Sequence, residues 1–135
     1  MRASAAARQA SRQLATMHSD STDHFARGIE QFNQRRFFES HESWEVIWLS
    51  APEPDKTFLQ GIIQVAAAFH HYTRGNRAGA ESLMLAGLEK LEKFPAGYRR
   101  LQLEKFRAAV REWLSLLATG QSPTTETLPR IEATE

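Results

Sequence analysis

From residue 24 to residue 119, apolar stripes of helical period alternate with short breaks rich in proline, glycine and asparagine. Phe25, Ile29 and Phe32 recur at spacings of four and three, which predicts a short amphipathic helix over residues 24–33 with Thr22 or Asp23 as its cap. A second helix is predicted from about Arg36 to Leu49. Pro52 and Pro54 stop it, because proline disfavours helical backbone in the residue before it. The third, from about Asp55 to Arg74, is apolar almost all round through Leu59, Ile62, Ile63, Val65, Ala66 and Phe69, and a helix of that kind belongs in the centre. Gly75 is suited to terminate it and Asn76 to cap the next, so this pair forms a helix-to-helix corner. The fourth helix runs to about Lys93 with Ala80, Leu83, Met84, Gly87, Leu88 and Leu91 inward, and Phe94 to Gly97 ends it. The fifth turns Leu103, Phe106, Val110, Trp113, Leu114 and Leu117 inward and Glu104, Arg107 and Arg111 outward. No run of period two competes. The expected fold is all-α, a single-domain bundle of about five helices with a buried central third helix.

The ends read differently. Residues 1–21 carry Arg2, Arg8 and Arg12 among Ala and Ser, the composition of a flexible arm, with an organellar targeting segment as the lesser alternative. Residues 120–135 hold Pro123, Pro129 and four threonines with little apolar content, and read as a flexible tail. The folded domain is thus expected over residues 22–119. In 135 residues, 17 basic side chains face 16 acidic ones, so net charge does not suggest a nucleic-acid partner. Only the arm is one-sidedly basic. There is no cysteine, which leaves His, Asp and Glu as the strong metal ligands. No apolar run is long enough to span a bilayer, and a cytoplasmic protein is expected.

The chemistry concentrates in the second helix, where titratable groups sit among large aromatics. Phe37, His41, Trp44, Glu45 and Trp48 fall within an arc of about 100°. His41 and Glu45 are i,i+4 neighbours, able to hydrogen-bond to each other or to face one metal ion. On the third helix Gln60, Gln64, Ala67 and His71 share an arc of about 60°, a polar row on an apolar rod. Leaving such groups unpaired costs about 1–3 kcal/mol each, so Gln64 and His71 are expected to face His41 and Glu45 between the two helices. His70 falls on the side of Leu59, Ile63 and Ala66 and reads as a packed or surface histidine. Gly61, unfavourable in mid-helix by about 1 kcal/mol against alanine, marks either a close helix approach or room for a ligand.

Two readings of this cluster compete. In one, the groups satisfy one another and lock the packing of two helices. In the other, His41, Glu45 and His71 hold one divalent metal ion (Zn, Fe, Mn or Ni), with Glu42, Trp44, Trp48, Gln60 and Gln64 lining the site. A metal-bound water could then act as a hydrolytic nucleophile, its proton handled by Glu42 or Glu45. The zinc-protease motif is not met, because glutamate stands where its second histidine is needed, and no paired Glu-x-x-His supports a di-metal centre.

The run Phe37 Phe38 Glu39 Ser40 His41 Glu42, Trp44 Glu45, Trp48, with Phe58 Leu59 Gln60 Gly61 Ile62 Ile63 Gln64 and Gly75 Asn76, resembles domain-of-unknown-function family 309 over about residues 25–92. That resemblance implies a few packed helices and a signature of His, three residues, Glu, two residues, then Trp or Tyr, here His41, Glu45 and Trp48. It implies suspected metal binding and brings no reaction or substrate. The functional alternatives are therefore a domain that binds a metal or small ligand between helices two and three, and a non-catalytic helical module that binds a protein partner through an outer groove or the arm.

Overall fold

The computed structural model describes residues 24–134, and the segment expected to be an arm, residues 1–21, lies outside the described residues. Five α-helices follow in order: α1 over residues 24–33, α2 (Phe37–Trp48), α3 (Asp55–Thr73), α4 (Arg77–Leu91) and α5 (Leu103–Ala118). Single 3-10 turns stand at Tyr98–Arg100 and Thr125–Thr127. Among the described residues no strand forms, and Leu101 and Ala133 make one isolated bridge. No described helix is long and apolar enough to cross a membrane. The all-α bundle is as the periodicity predicts.

α3 is the axis. It packs most extensively on α4, then on α2, and buries Phe58, Leu59, Ile62, Val65, Ala66 and Phe69. Gly61 lies against α4, where an added Cβ would stand 2.9 Å from Leu91 and 3.2 Å from the Gly87 carbonyl oxygen. A Cβ at Gly87 would stand 2.7 Å from the Gly61 carbonyl oxygen. The two glycines thus let the α3 and α4 backbones approach. Close packing, rather than room for a ligand, explains Gly61. At the opposite seam Gly28 makes way for Trp44, whose indole Nε1 donates to the Phe25 carbonyl at 3.1 Å. Phe32 ties α1 to Phe37, Phe69 and Phe106 through edge-on rings with centroids 5.1–6.1 Å apart.

The corners follow the sequence signals. Gly75 takes φ +83°, and Asn76 Oδ1 accepts the Gly79 N–H at 3.0 Å. Lys56 Nζ donates to the Trp48 carbonyl at 3.0 Å, closing the end of α2, and lies 4.5 Å over the Trp48 ring. Between α4 and α5 two successive residues, Arg99 (φ 52°) and Arg100 (φ 60°), are left-handed, at a cost of about 1–2 kcal/mol each.

Two expectations fail. Arg107 does not point outward; it is 6% exposed, and its Nη1 donates to the carbonyls of Leu91 at 2.7 Å and Phe94 at 2.6 Å. The last carbonyls of α4 have no partner within their own helix, and this guanidinium supplies one while pairing with Glu104. The segment expected as a flexible tail is instead tied along the bundle. Ile131 is buried, and its N–H and carbonyl bond the Asn33 side-chain amide at 2.8 and 2.9 Å. Trp113 Nε1 donates to the Thr127 carbonyl, Tyr72 to that of Pro123, and the Thr134 N–H to that of Arg100. Backbone groups do much of the work, with Ile131 and Leu128 packed on the core, which low apolar content does not reveal.

Candidate functional site

α2 and α3 form an antiparallel pair, joined by the short proline-rich loop, with Phe38 beside His70 at one end of the seam and Trp48 beside Lys56 at the other. The buried face of α2 is set by Phe37, Ser40, Ser43 and Trp44. Its two serines need partners and find them: Ser40 Oγ donates to the Phe37 carbonyl at 2.9 Å, and Ser43 Oγ to Gln31 Oε1 at 2.7 Å. One step around the helix, His41 is left at the edge of that face. The corresponding edge of α3 carries Ala67, His70 and His71, and these three with Phe38 and His41 line a cleft of about 170 Å³.

Three imidazoles therefore share one small cleft, two of which the sequence paired. His70 is the addition. Its ring lies 5.4 Å from that of Phe38, a half-exposed aromatic, and 6.1 Å from that of His71. Burial, then the Arg74 guanidinium and the His71 and His41 rings whenever they are protonated, push its pKa below the ordinary histidine value, so it favours the neutral form. Helical angle alone set His70 toward Ile63 and Ala66. The α2–α3 pairing turns it toward Phe38, and an exposed phenylalanine beside a histidine run was the signal available.

The expected polar cluster is not assembled as a hydrogen-bonded network. His41 Nε2 stands 3.6 Å from Glu45 Oε2, an ion-pair distance too long for a hydrogen bond. His41 Nδ1 and Gln64 Oε1 are buried without a partner, as is Trp48 Nε1. His71 turns to the next corner, its Nδ1 3.2 Å from Asn76 Nδ2. Because Asn76 Oδ1 is held by the Gly79 N–H, the amide faces His71 with its NH₂ group. His71 Nδ1 therefore accepts, and the ring proton of neutral His71 sits on Nε2. Among the described residues no group of three or more His, Asp or Glu side chains stands together as a metal-ligand set, so His41, Glu45 and His71 are not gathered around one point.

The other named positions separate by exposure. Trp44 is fully buried in the core. Trp48 is half-buried under Lys56, Gln60 is half-buried on α3, and Glu42 and Glu45 are exposed on α2. Beside these carboxylates Phe38, Val46 and Leu49 are 49%, 52% and 68% exposed, giving α2 an apolar outer stripe.

Fold and seam together define a small helical domain with a histidine-lined cleft between α2 and α3. Residues 25–83, which span that hairpin, match the family model for a domain of unknown function, DUF309, so the resemblance read in the sequence holds over this stretch. An uncharacterized protein of Aquifex aeolicus (strain VF5) is 28% identical over 93 residues, 68% of this chain and 28% of that protein. The uncharacterized protein YpuF of Bacillus subtilis (strain 168) is 37% identical over 65 residues, 47% of this chain and 37% of that protein. The alignments thus span about a third of the length of these curated relatives.

Proposed function

We propose that this is a cytoplasmic small-ligand-binding domain, and that the cleft between α2 and α3 takes a flat molecule carrying a hydrogen-bond donor beside an acceptor, such as an aromatic amide or a heterocyclic base. The observation that carries this reading is His41 Nδ1, buried without a partner in a residue that lines the cleft. The Glu45 carboxylate near Nε2 favours the proton there and leaves Nδ1 a lone pair seeking a donor. His71, with its proton on Nε2, offers the complementary donor. Phe38 and His70 supply a face for stacking. An unpaired buried polar atom costs about 1–3 kcal/mol, and a ligand that pairs it recovers that free energy on binding.

The test follows the imidazole nitrogens by ¹⁵N–¹H correlation spectra during titration with nicotinamide and, separately, zinc chloride, in the wild type and in His41→Gln. Saturable shifts of the His41, His70 and His71 rings with nicotinamide, lost in His41→Gln, are expected. Rings that move only with zinc would replace this reading by a metal site, one in which His71 has to give up Asn76. Rings that move with neither probe would overturn both.

A second reading rests on the outer stripe of α2, where Phe38, Val46 and Leu49 stand exposed beside Glu42 and Glu45. Such a face suits a protein-interaction module docking a basic amphipathic helix. Binding of such a peptide that Val46→Glu abolishes and His41→Gln leaves intact would favour it.

A further inference from the structure

A second cleft, of about 190 Å³, opens where the end of α2 meets the α4–α5 connection. Its walls are Ile47, Ala51, Pro52 and Leu59, and its polar groups include Asp55 and Arg99. Arg99 is held there from two sides. Its backbone is left-handed, its guanidinium carbon lies 4.2 Å over the Phe25 ring, and its Nη1 donates to Asp55 Oδ2 at 2.7 Å. Asp55 is itself fixed through Oδ1, which accepts the Tyr98 hydroxyl at 2.6 Å. Among the described residues no other hydrogen bond engages the guanidinium, whose side chain is 31% exposed. A planar fork that is stacked on one face and pinned at one nitrogen keeps its remaining N–H groups in fixed directions, and carboxylate geometry matches them.

From this arrangement we infer that the cleft is a ligand site distinct from the histidine cleft, taking a small monocarboxylate whose apolar body fills the pocket and whose carboxylate pairs with the unused N–H groups of Arg99. The charge balance favours an anion that does not rely on charge alone. Asp55 already offsets much of the guanidinium charge, so charge alone holds any anion weakly, and a ligand whose apolar body also covers Ile47, Ala51 and Pro52 is favoured over phosphate, which has no such body. The left-handed Arg99 and Arg100 bring a cation to a cleft to which the helices contribute only the carboxylate of Asp55 as a charged group.

Backbone amide spectra of the full chain, titrated with sodium benzoate and in parallel with inorganic phosphate, test this. Saturable shifts at Ile47, Ala51, Leu59 and Arg99 with benzoate are expected, with little response to phosphate and affinity at least tenfold weaker in Arg99→Gln. Ala51→Leu fills the cleft without touching the Arg99–Asp55 pair and should abolish the shifts with the fold intact. The inference is overturned if benzoate moves none of these amides at 20 mM, if Arg99→Gln binds as well as wild type, or if phosphate moves the same amides as strongly.

Discussion

Tyr98 shows how a single hydroxyl couples fold to pH. Burial, and the hydrogen bond that its hydroxyl donates to Asp55, hold it as the phenol and push its pKa up to about 12 from the ordinary 10. A raised folded-state value favours the native state fully below pH 10, where the unfolded chain is also a phenol, and that advantage is lost as pH climbs through 12. Two units correspond to about 2.7 kcal/mol by linkage, but the ring is partly exposed, and solvent screening brings the effect to about 1 kcal/mol. The stability gap between wild type and Tyr98→Phe, measured by urea unfolding, should therefore be near 1 kcal/mol at pH 8 and close as pH rises to 11.5. Parallel curves across that range would mean that Tyr98 titrates normally. With Tyr72 the only other tyrosine, absorbance titration can also resolve the late-ionising phenol directly.

At the scale of elements, the α4–α5 joint turns on Arg107, which caps the end of one helix from within the next. Arg107→Ala removes the charged donor from the buried Leu91 and Phe94 carbonyls, leaving Leu91 only the Phe94 N–H at 3.2 Å, and should cost about 3 kcal/mol in urea unfolding. Arg111→Ala, which breaks only exposed pairs with Glu92 and Glu104, should cost under about 1 kcal/mol. Equal losses would contradict the capping role. This joint also marks where local pattern stops being informative. The helices, their stops at Pro52 and Pro54, and the Gly75–Asn76 corner were legible because each depends on residues a few positions apart. Arg107 was misplaced because the reason for its burial lies at the end of α4 and in the turn that follows it, 13 to 16 residues back. His70, read as a packed or surface histidine, likewise takes its neighbour from another helix. Its angle on α3 is correct in isolation, and only the crossing with α2 sets it beside Phe38. The sequence thus located the seam and His41 and His71 within it, but not which nitrogens remain unpaired, since that depends on Asn76 taking Gly79 as its cap partner.

Across the whole molecule, the closing contacts come from residues 121–134, which run from Tyr72 and Trp113 past Asn33 to Arg100 and so join α1, α3, α5 and the α4–α5 connection. Composition marks this segment as a tail because only Leu128 and Ile131 are large and apolar, yet Ile131 is 3% exposed, and backbone groups together with the Ser122, Glu132 and Thr134 side chains bond the bundle. The net effect is modest, since ordering each residue costs about 1–2 kcal/mol of chain entropy against the burial and hydrogen bonds gained. Burying Ile131 contributes about 2–3 kcal/mol, and bonds to buried partners add about 1 kcal/mol each. Truncation after Gly120 should therefore destabilise the bundle by about 3 kcal/mol, roughly 10 °C in Tm for a domain of this size. It should also shift tryptophan emission to the red, because Trp113 loses the Thr127 carbonyl and its cover while Trp44 stays buried. Ile131→Ala keeps the backbone bonds and should lose about 2 kcal/mol with little change in emission, which separates side-chain burial from the tie itself. A truncated chain that melts within 2 °C of full length with unshifted emission would show that the segment rests on the bundle without holding it.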